Sequence, residues 1–208
     1  MIQLDPFLTR MPLIAILRGI KPDEAVAVGH ALVDAGFAVI EVPLNSPEPF
    51  ESIRLLSEAL GPDILVGAGT VLQPGDVARV ADAGGRLIVM PHSDAAVIRA
   101  AKAAGLACTP GISTPTEGFA ALASGADALK LFPAEVITPG VLKAMRSVFP
   151  TSTCFLPVGG ITPDTMEPFI KAGAAGFGLG SALYTAGKSA ADVGKDGRAF
   201  VEAWHRFS

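Results

Sequence analysis

A lysine set in an apolar run is the residue of this sequence best suited to covalent chemistry. Lys130 lies in Ala128-Leu129-Lys130-Leu131-Phe132-Pro133, with Asp127 at the near end and no further acid before Glu135. Burial penalises the ammonium form and lowers its pKa, so a neutral amine becomes available near pH 7. A neutral amine attacks a ketone to give a Schiff base. The alternative is a structural lysine paired to a buried carboxylate, and residue type and placement alone do not choose between the two. Glu41 is the matching acid, in Val39-Ile40-Glu41-Val42-Pro43, where strand alternation puts Val39, Glu41 and Pro43 on one face. Within reach of Lys130 it either pairs with the amine or moves protons at a bound substrate. Once the lysine is consumed as an imine, both roles fit different steps, and general acid/base work is the preferred reading.

Other polar residues stand where short apolar runs end. Arg18 closes Leu13-Ile14-Ala15-Ile16-Leu17, and Thr70 follows Leu65-Val66-Gly67-Ala68-Gly69. Two glycine motifs come late: Val158-Gly159-Gly160-Ile161-Thr162-Pro163 and Gly176-Phe177-Gly178-Leu179-Gly180-Ser181. Glycines let backbone N–H groups approach a phosphate closely, and a helix opening beside them adds to the pull on an anion. The alternative for both motifs is tight turns only. Ser181 reads as a phosphate donor rather than a nucleophile, since no histidine is placed to activate it. His92 follows Pro91 at a site-facing position but has no companion ligands. His30, Trp204 and His205 read as helix residues and Tyr184 as packing. No His/Asp/Glu group has metal spacing, so neither a metal nor a cofactor is expected.

The elements that must carry these residues recur at a regular interval. Breakers at Gly36, Gly61, Gly84, Gly105, Gly125, Pro150 and Gly173 are spaced 20 to 25 residues apart, each between a helical pattern and a short apolar run. Glycine is the expected residue just past a helix. Lys21-Pro22-Asp23-Glu24, Gln73-Pro74-Gly75-Asp76 and Thr162-Pro163-Asp164 put proline and acids in first turns, where both suit a helix start. With Leu13–Leu17 as the first, eight strands alternate with helices. The expected fold is α/β, a TIM (β/α)8 barrel, over a single compact domain of residues 1–208 with short loops, since such barrels commonly run to about 250 residues. A doubly wound open sheet needs a glycine-rich loop after its first strand, and Leu17-Arg18-Gly19-Ile20-Lys21-Pro22 is not one. In a parallel barrel the catalytic groups gather at the C-terminal strand ends. That places Arg18, Glu41, Thr70 and Lys130 on the first, second, third and sixth strands, and the glycine motifs after the seventh and eighth.

Bulk properties narrow the classes. Half of the 208 residues are hydrophobic, 17% are charged, and the net charge is −4. No basic stripe tracks a phosphate backbone, so nucleic-acid binding is not expected. No apolar run reaches the roughly 18 residues of a membrane span. Met1-Ile2-Gln3-Leu4-Asp5 lacks a signal-peptide pattern, so a cytoplasmic protein is expected. Cys108 and Cys154 read as two buried, reduced thiols.

Taken together, Ala15-Ile16-Leu17-Arg18-Gly19, Gly67-Ala68-Gly69-Thr70-Val71 and Leu129-Lys130-Leu131-Phe132-Pro133 resemble the class I pyruvate aldolases that cleave 2-keto-3-deoxy-6-phospho sugar acids. The resemblance runs from Leu13 to Tyr184. It implies Lys130 as the Schiff-base lysine, Glu41 as the proton carrier, Arg18 on the substrate or pyruvate carboxylate, and Thr70 in the pyruvate pocket. It assigns the phosphate to Gly159, Gly160, Gly180 and Ser181. It also implies a lyase of carbohydrate catabolism with a phosphorylated keto sugar acid and pyruvate as its small-molecule partners, and a homotrimer. The segment Glu41-Val42-Pro43-Leu44-Asn45-Ser46-Pro47 differs from the Thr-Leu-Arg-Thr usual in the 6-phosphogluconate-derived branch and looks like the 6-phosphogalactonate branch. Asn45 then addresses the sugar hydroxyls, and the gluconate-derived substrate is the alternative. Two other classes use the same parts: a phosphosugar epimerase or isomerase with Glu41 as base, and a non-catalytic phosphometabolite sensor.

Overall fold

The computed structural model describes residues 2–208. Helix α1 (Asp5–Arg10) precedes strand β1 (Leu13–Ile16), and helices and strands then alternate. The strands are β2 (Val39–Pro43), β3 (Leu65–Gly69), β4 (Leu87–Val89), β5 (Ala107–Thr109), β6 (Gly111–Ile112), β7 (Leu129–Leu131), β8 (Phe155–Pro157) and β9 (Phe177–Leu179). Between them run α2 (Pro22–Asp34), α3 (Pro49–Leu60), α4 (Pro74–Asp82), α5 (Ala95–Ala103), α6 (Pro115–Ala123), α7 (Pro139–Arg146) and α8 (Met166–Lys171), and α9 (Ala190–Phe207) closes the chain. Helices α2, α4 and α6 each take a proline in the first turn, where its missing N–H has no helical partner to lose. Gly84 after α4 and Gly125 after α6 hold φ of 81° and 102°, a region closed to most side chains.

The fold is α/β with parallel sheets. Where the sequence leads one to expect eight strands in one closed barrel, the hydrogen-bonded pairs form two sheets. One has six strands in the order β5-β4-β3-β2-β1-β9, the other three in the order β6-β7-β8. The extra segment lies just beyond the expected fifth strand, Leu106–Thr109: Pro110 separates β5 from β6 and has no N–H to give a ladder. Beside it, Met90 N donates to Thr109 O at 3.2 Å and Lys130 N to Pro110 O at 2.9 Å. A lone parallel bridge joins Val158 to Gly178, between the ends of β8 and β9.

Every residue of every strand is buried, as expected of parallel strands covered on both faces. The two faces feed two apolar clusters. The larger lies between strands and helices and holds Leu13, Ile40, Val66, Ile88, Leu129, Phe155 and Phe177. The smaller takes the alternate residues Ile14, Val39, Leu65, Leu87, Val89 and Leu156 and is completed by Leu4 and Leu8 at the start of the chain. Val39 in this second cluster and Glu41 two residues on share a face, so α1 covers one end of the interior and the charged side chains occupy the other.

Asp127, the acid nearest Lys130 in sequence, is committed elsewhere. Its carboxylate takes the Lys102 ammonium at 2.6 Å and the Cys108 N–H at 2.7 Å. Cys108 is buried and Cys154 only partly so, and burial pushes both thiols up to about 12. Replacing Asp127 by Ala strands the Cys108 N–H and the half-buried ammonium. The expected cost is about 1–3 kcal/mol of unfolding free energy, read from urea titrations, with the chemistry at Lys130 left intact.

Candidate active site

Lys130 sits in the middle of β7 with 6% of its surface exposed, and Glu41 in the middle of β2 with 2% exposed. Burial pushes the Lys130 ammonium down from its usual range; the negative charge of Glu41 opposes this and the positive charge of Arg18 adds to it. Burial pushes the Glu41 carboxyl up to about 7, against the pull of Lys130 and Arg18. Both groups therefore shift toward their neutral forms near pH 7. Among the described residues no ion pair joins the two, and Glu41 Oε2 is buried without a hydrogen-bond partner. A structural salt bridge, one of the two roles open to Lys130, is not what the geometry provides. A free amine and a protonatable acid facing one interior suit imine formation and proton transfer.

Neighbouring backbone makes room for this acid. Gly69 ends β3, in register with Pro43 of β2, and a methyl group there would run into the Glu41 carboxyl. Lys130 Nζ lies 4.7 Å from the centre of the Phe132 ring, a face that favours any cation formed at that nitrogen.

The loops after β1, β2 and β3 converge on one guanidinium. Arg18 Nη1 donates to Asn45 Oδ1 at 2.6 Å, and Nη2 reaches Thr70 Oγ1 at 3.5 Å. Thr70 holds φ of 53°, a left-handed conformation uncommon for a β-branched residue and costly unless its surroundings impose it. Gly19 N donates to Ser46 Oγ at 2.9 Å, which ties the loop bearing Arg18 to the loop bearing Asn45. Ser46 is buried and was not singled out from sequence; its signal was a hydroxyl beside Asn45 in an otherwise apolar loop entry.

A cavity of about 550 Å³ opens beside these groups, lined by Lys130 and Arg18 and by Gly159, Gly160, Gly180 and Ser181. Glu41, Asn45 and Thr70 do not line it; the last two meet it through Arg18. The N–H groups of Gly160, Ile161 and Ser181 donate to no acceptor among the described residues, which leaves them free for an anion. The wall includes two residues not assigned a role from sequence, Phe132 and Glu135, and one read as packing, Tyr184. The Tyr184 ring is buried, its hydroxyl lies 3.5 Å from Glu24 Oε2, and burial pushes its pKa up to about 12. His92 does not line the cavity. Among the described residues no group of three or more His, Cys, Asp or Glu is gathered to hold a metal ion, and no helix is long and apolar enough to cross a membrane.

Known proteins resemble this chain over nearly its whole length. The family model described as "Aldolase: KDPG and KHG aldolase" matches residues 4–195. The chain is 47% identical to the 2-dehydro-3-deoxy-6-phosphogalactonate aldolase of Escherichia coli (strain K12), over 94% of this chain and 96% of that one. It is 49% identical to a probable 2-dehydro-3-deoxy-6-phosphogalactonate aldolase of Rhizobium meliloti (strain 1021), over 88% of this chain and 86% of that one. A solved structure titled "Native KDPGal structure" superposes with a TM-score of 0.93 at 47% identity, covering 95% of this chain and 96% of that one.

The raised pKa of Glu41 carries a sign that can be measured. Its carboxyl titrates near 7 when folded and near the ordinary 4.5 when unfolded. Between those values the folded chain holds the extra proton, so this group's stabilisation is present at low pH and lost as pH rises through the window. Glu41→Gln removes that loss. Relative to the parent, its unfolding free energy should rise by roughly 1–3 kcal/mol between about pH 5 and pH 8. Parallel stability curves for the two proteins would show a carboxylate already charged in the fold at pH 5.

Proposed function

This chain belongs to the KDPG and KHG aldolase family, and we propose that it cleaves 2-dehydro-3-deoxy-6-phosphogalactonate to pyruvate and D-glyceraldehyde 3-phosphate through a Schiff base on Lys130. The observation that carries the reading is a buried lysine and a buried glutamate, both displaced toward neutrality, beside a cavity lined also by Gly159, Gly160, Gly180 and Ser181.

The steps follow from the parts. The neutral amine of Lys130 adds to the C2 ketone, and loss of water gives the iminium. That cation draws the electrons of the C3–C4 bond toward nitrogen, and the Phe132 ring face stabilises it. Glu41, directly or through a water, takes the C4 hydroxyl proton as the bond breaks. D-glyceraldehyde 3-phosphate leaves, and an enamine of pyruvate remains on Lys130. The acid returns its proton to C3, and water hydrolyses the imine to release pyruvate and the free amine. Arg18, steadied by Asn45, binds the substrate carboxylate; Thr70 reaches the pyruvate pocket through Arg18. Gly159, Gly160, Gly180 and Ser181 hold the phosphate by backbone N–H groups and a hydroxyl. The reaction so written uses no cofactor or metal.

Two features support reading the two sheets as one closed TIM (β/α)8 barrel in a single domain of residues 1–208. Strands β5 and β6 are halves of one strand parted by Pro110, and the Val158–Gly178 bridge links β8 to β9. The family resemblance supports a homotrimer and a cytoplasmic enzyme. Sedimentation velocity measures the first.

The substrate branch rests on Asn45, where the gluconate-acting pattern has arginine, and on two relatives named for the galactonate-derived substrate. The two substrates differ in configuration at C4, so a short amide and a long cation meet different hydroxyls. Cleavage of both epimers is measured by coupled release of pyruvate, and the galactonate-derived one should turn over faster; the reverse order would move the chain to the gluconate branch.

Lys130→Ala should abolish turnover while leaving the far-ultraviolet spectrum and thermal midpoint close to the parent's. Borohydride added with pyruvate should leave a reduced adduct on Lys130, found by peptide mass. No adduct, with cleavage of the sugar acid absent, would favour an epimerase, an isomerase or a sensor built on the same parts.

A further inference from the structure

One acid on the cavity wall has no part in these steps. Glu135 follows Phe132-Pro133-Ala134, the stretch that leaves β7 just after Lys130. Ala134 N donates to Val158 O at 2.9 Å, so this stretch is fastened to the glycine loop, and the Glu135 side chain lies against that loop. A methyl group on Gly159 would collide with Glu135 Oε2, and one on Gly160 would lie 3.2 Å from its Cγ and 3.3 Å from Oε1. Gly159 and Gly160 hold φ of 115° and 62°, a run of left-handed backbone that can turn N–H groups toward an anion. Among the described residues no cation pairs with Glu135. An unpaired carboxylate thus occupies the wall of the very loop assigned to the phosphate.

Glu135 is exposed, and two anions at one cradle repel even across water. We propose that Glu135 is a specificity-determining residue: its carboxylate rests against the glycine cradle of the free enzyme and must swing aside for a phosphoryl group. The inference rests on the reading of Gly159, Gly160, Gly180 and Ser181 as the phosphate cradle. A substrate held at its other end by the imine and by Arg18 can displace the carboxylate, because its phosphoryl group arrives at a high effective concentration. A free anion has no such tether and is turned away. The same contact helps the phosphorylated aldehyde leave once the C3–C4 bond is broken.

Inorganic phosphate, assayed as a competitive inhibitor of cleavage, is the probe. Glu135→Gln keeps the shape and removes the charge; Glu135→Ala removes both. The inhibition constant for phosphate should fall about 5- to 10-fold in each, while borohydride trapping of pyruvate on Lys130 stays at the parent level. An unchanged constant in Glu135→Gln overturns the proposal. So does weaker inhibition in Glu135→Ala alone, which would make the side chain a prop for the loop. Gly160→Ala separates the premise from the inference. If it weakens phosphate inhibition and raises KM while Glu135→Gln does nothing, the cradle stands and only the role of Glu135 falls. If it changes neither quantity, the cradle reading fails and the proposal with it.

Discussion

The structure is organised around the cost of keeping an amine and a carboxyl out of water. Neither Lys130 nor Glu41 is paid back by a direct ion pair, and both shift toward neutrality. An uncompensated charge in such a place is unfavourable unless it neutralises. In the proposed mechanism that penalty is also the source of reactivity, because it biases the amine toward its nucleophilic form and the carboxyl toward holding a proton. The surrounding residues act to preserve the condition. Most of the other strand residues are apolar, Gly69 yields space to the acid, and Asp127 pairs with Lys102.

The two ends of the parallel strands divide the labour. Helix α1 seats Leu4 and Leu8 against Ile14, Val39, Leu65 and Leu87, so that end of the interior is sealed with hydrocarbon. The other end is left to short loops. Several hydrogen bonds tie one loop to the next: Arg18 to Asn45, Gly19 to Ser46, Ala134 to Val158. Binding groups on loops are precise only when the loops are braced, and here the bracing groups and the binding groups are often the same residues.

Much of this was legible in the sequence. The 20- to 25-residue spacing of breakers reports one βα unit each, and Lys130 stood out because a charge in an apolar strand must be explained. Glu41 followed from alternation alone. What was hidden has physical reasons. Pro110 splits a strand, and an apolar run does not announce where its ladder will break. The commitment of Asp127 to Lys102 spans 25 residues and two elements, beyond the reach of local pattern. Glu135 escaped notice because an acid beside an anion site looks like a surface charge until its loop is seen folded against the glycines. Tyr184 read as packing, which its buried ring supports, yet it also forms cavity wall.

Gly69 and Glu41 form a linked pair in another sense. Any side chain at position 69 competes for volume with the Glu41 carboxyl, which the proposed mechanism makes the proton carrier, so the two positions are epistatic. A lineage that keeps the acid keeps the glycine, whatever happens to the sugar-binding loops. A lineage that trades the acid for a shorter residue is released from the glycine and free to fill the space. Across descendants of this fold, the residue at position 69 would then serve as a marker of whether the proton carrier opposite has been retained.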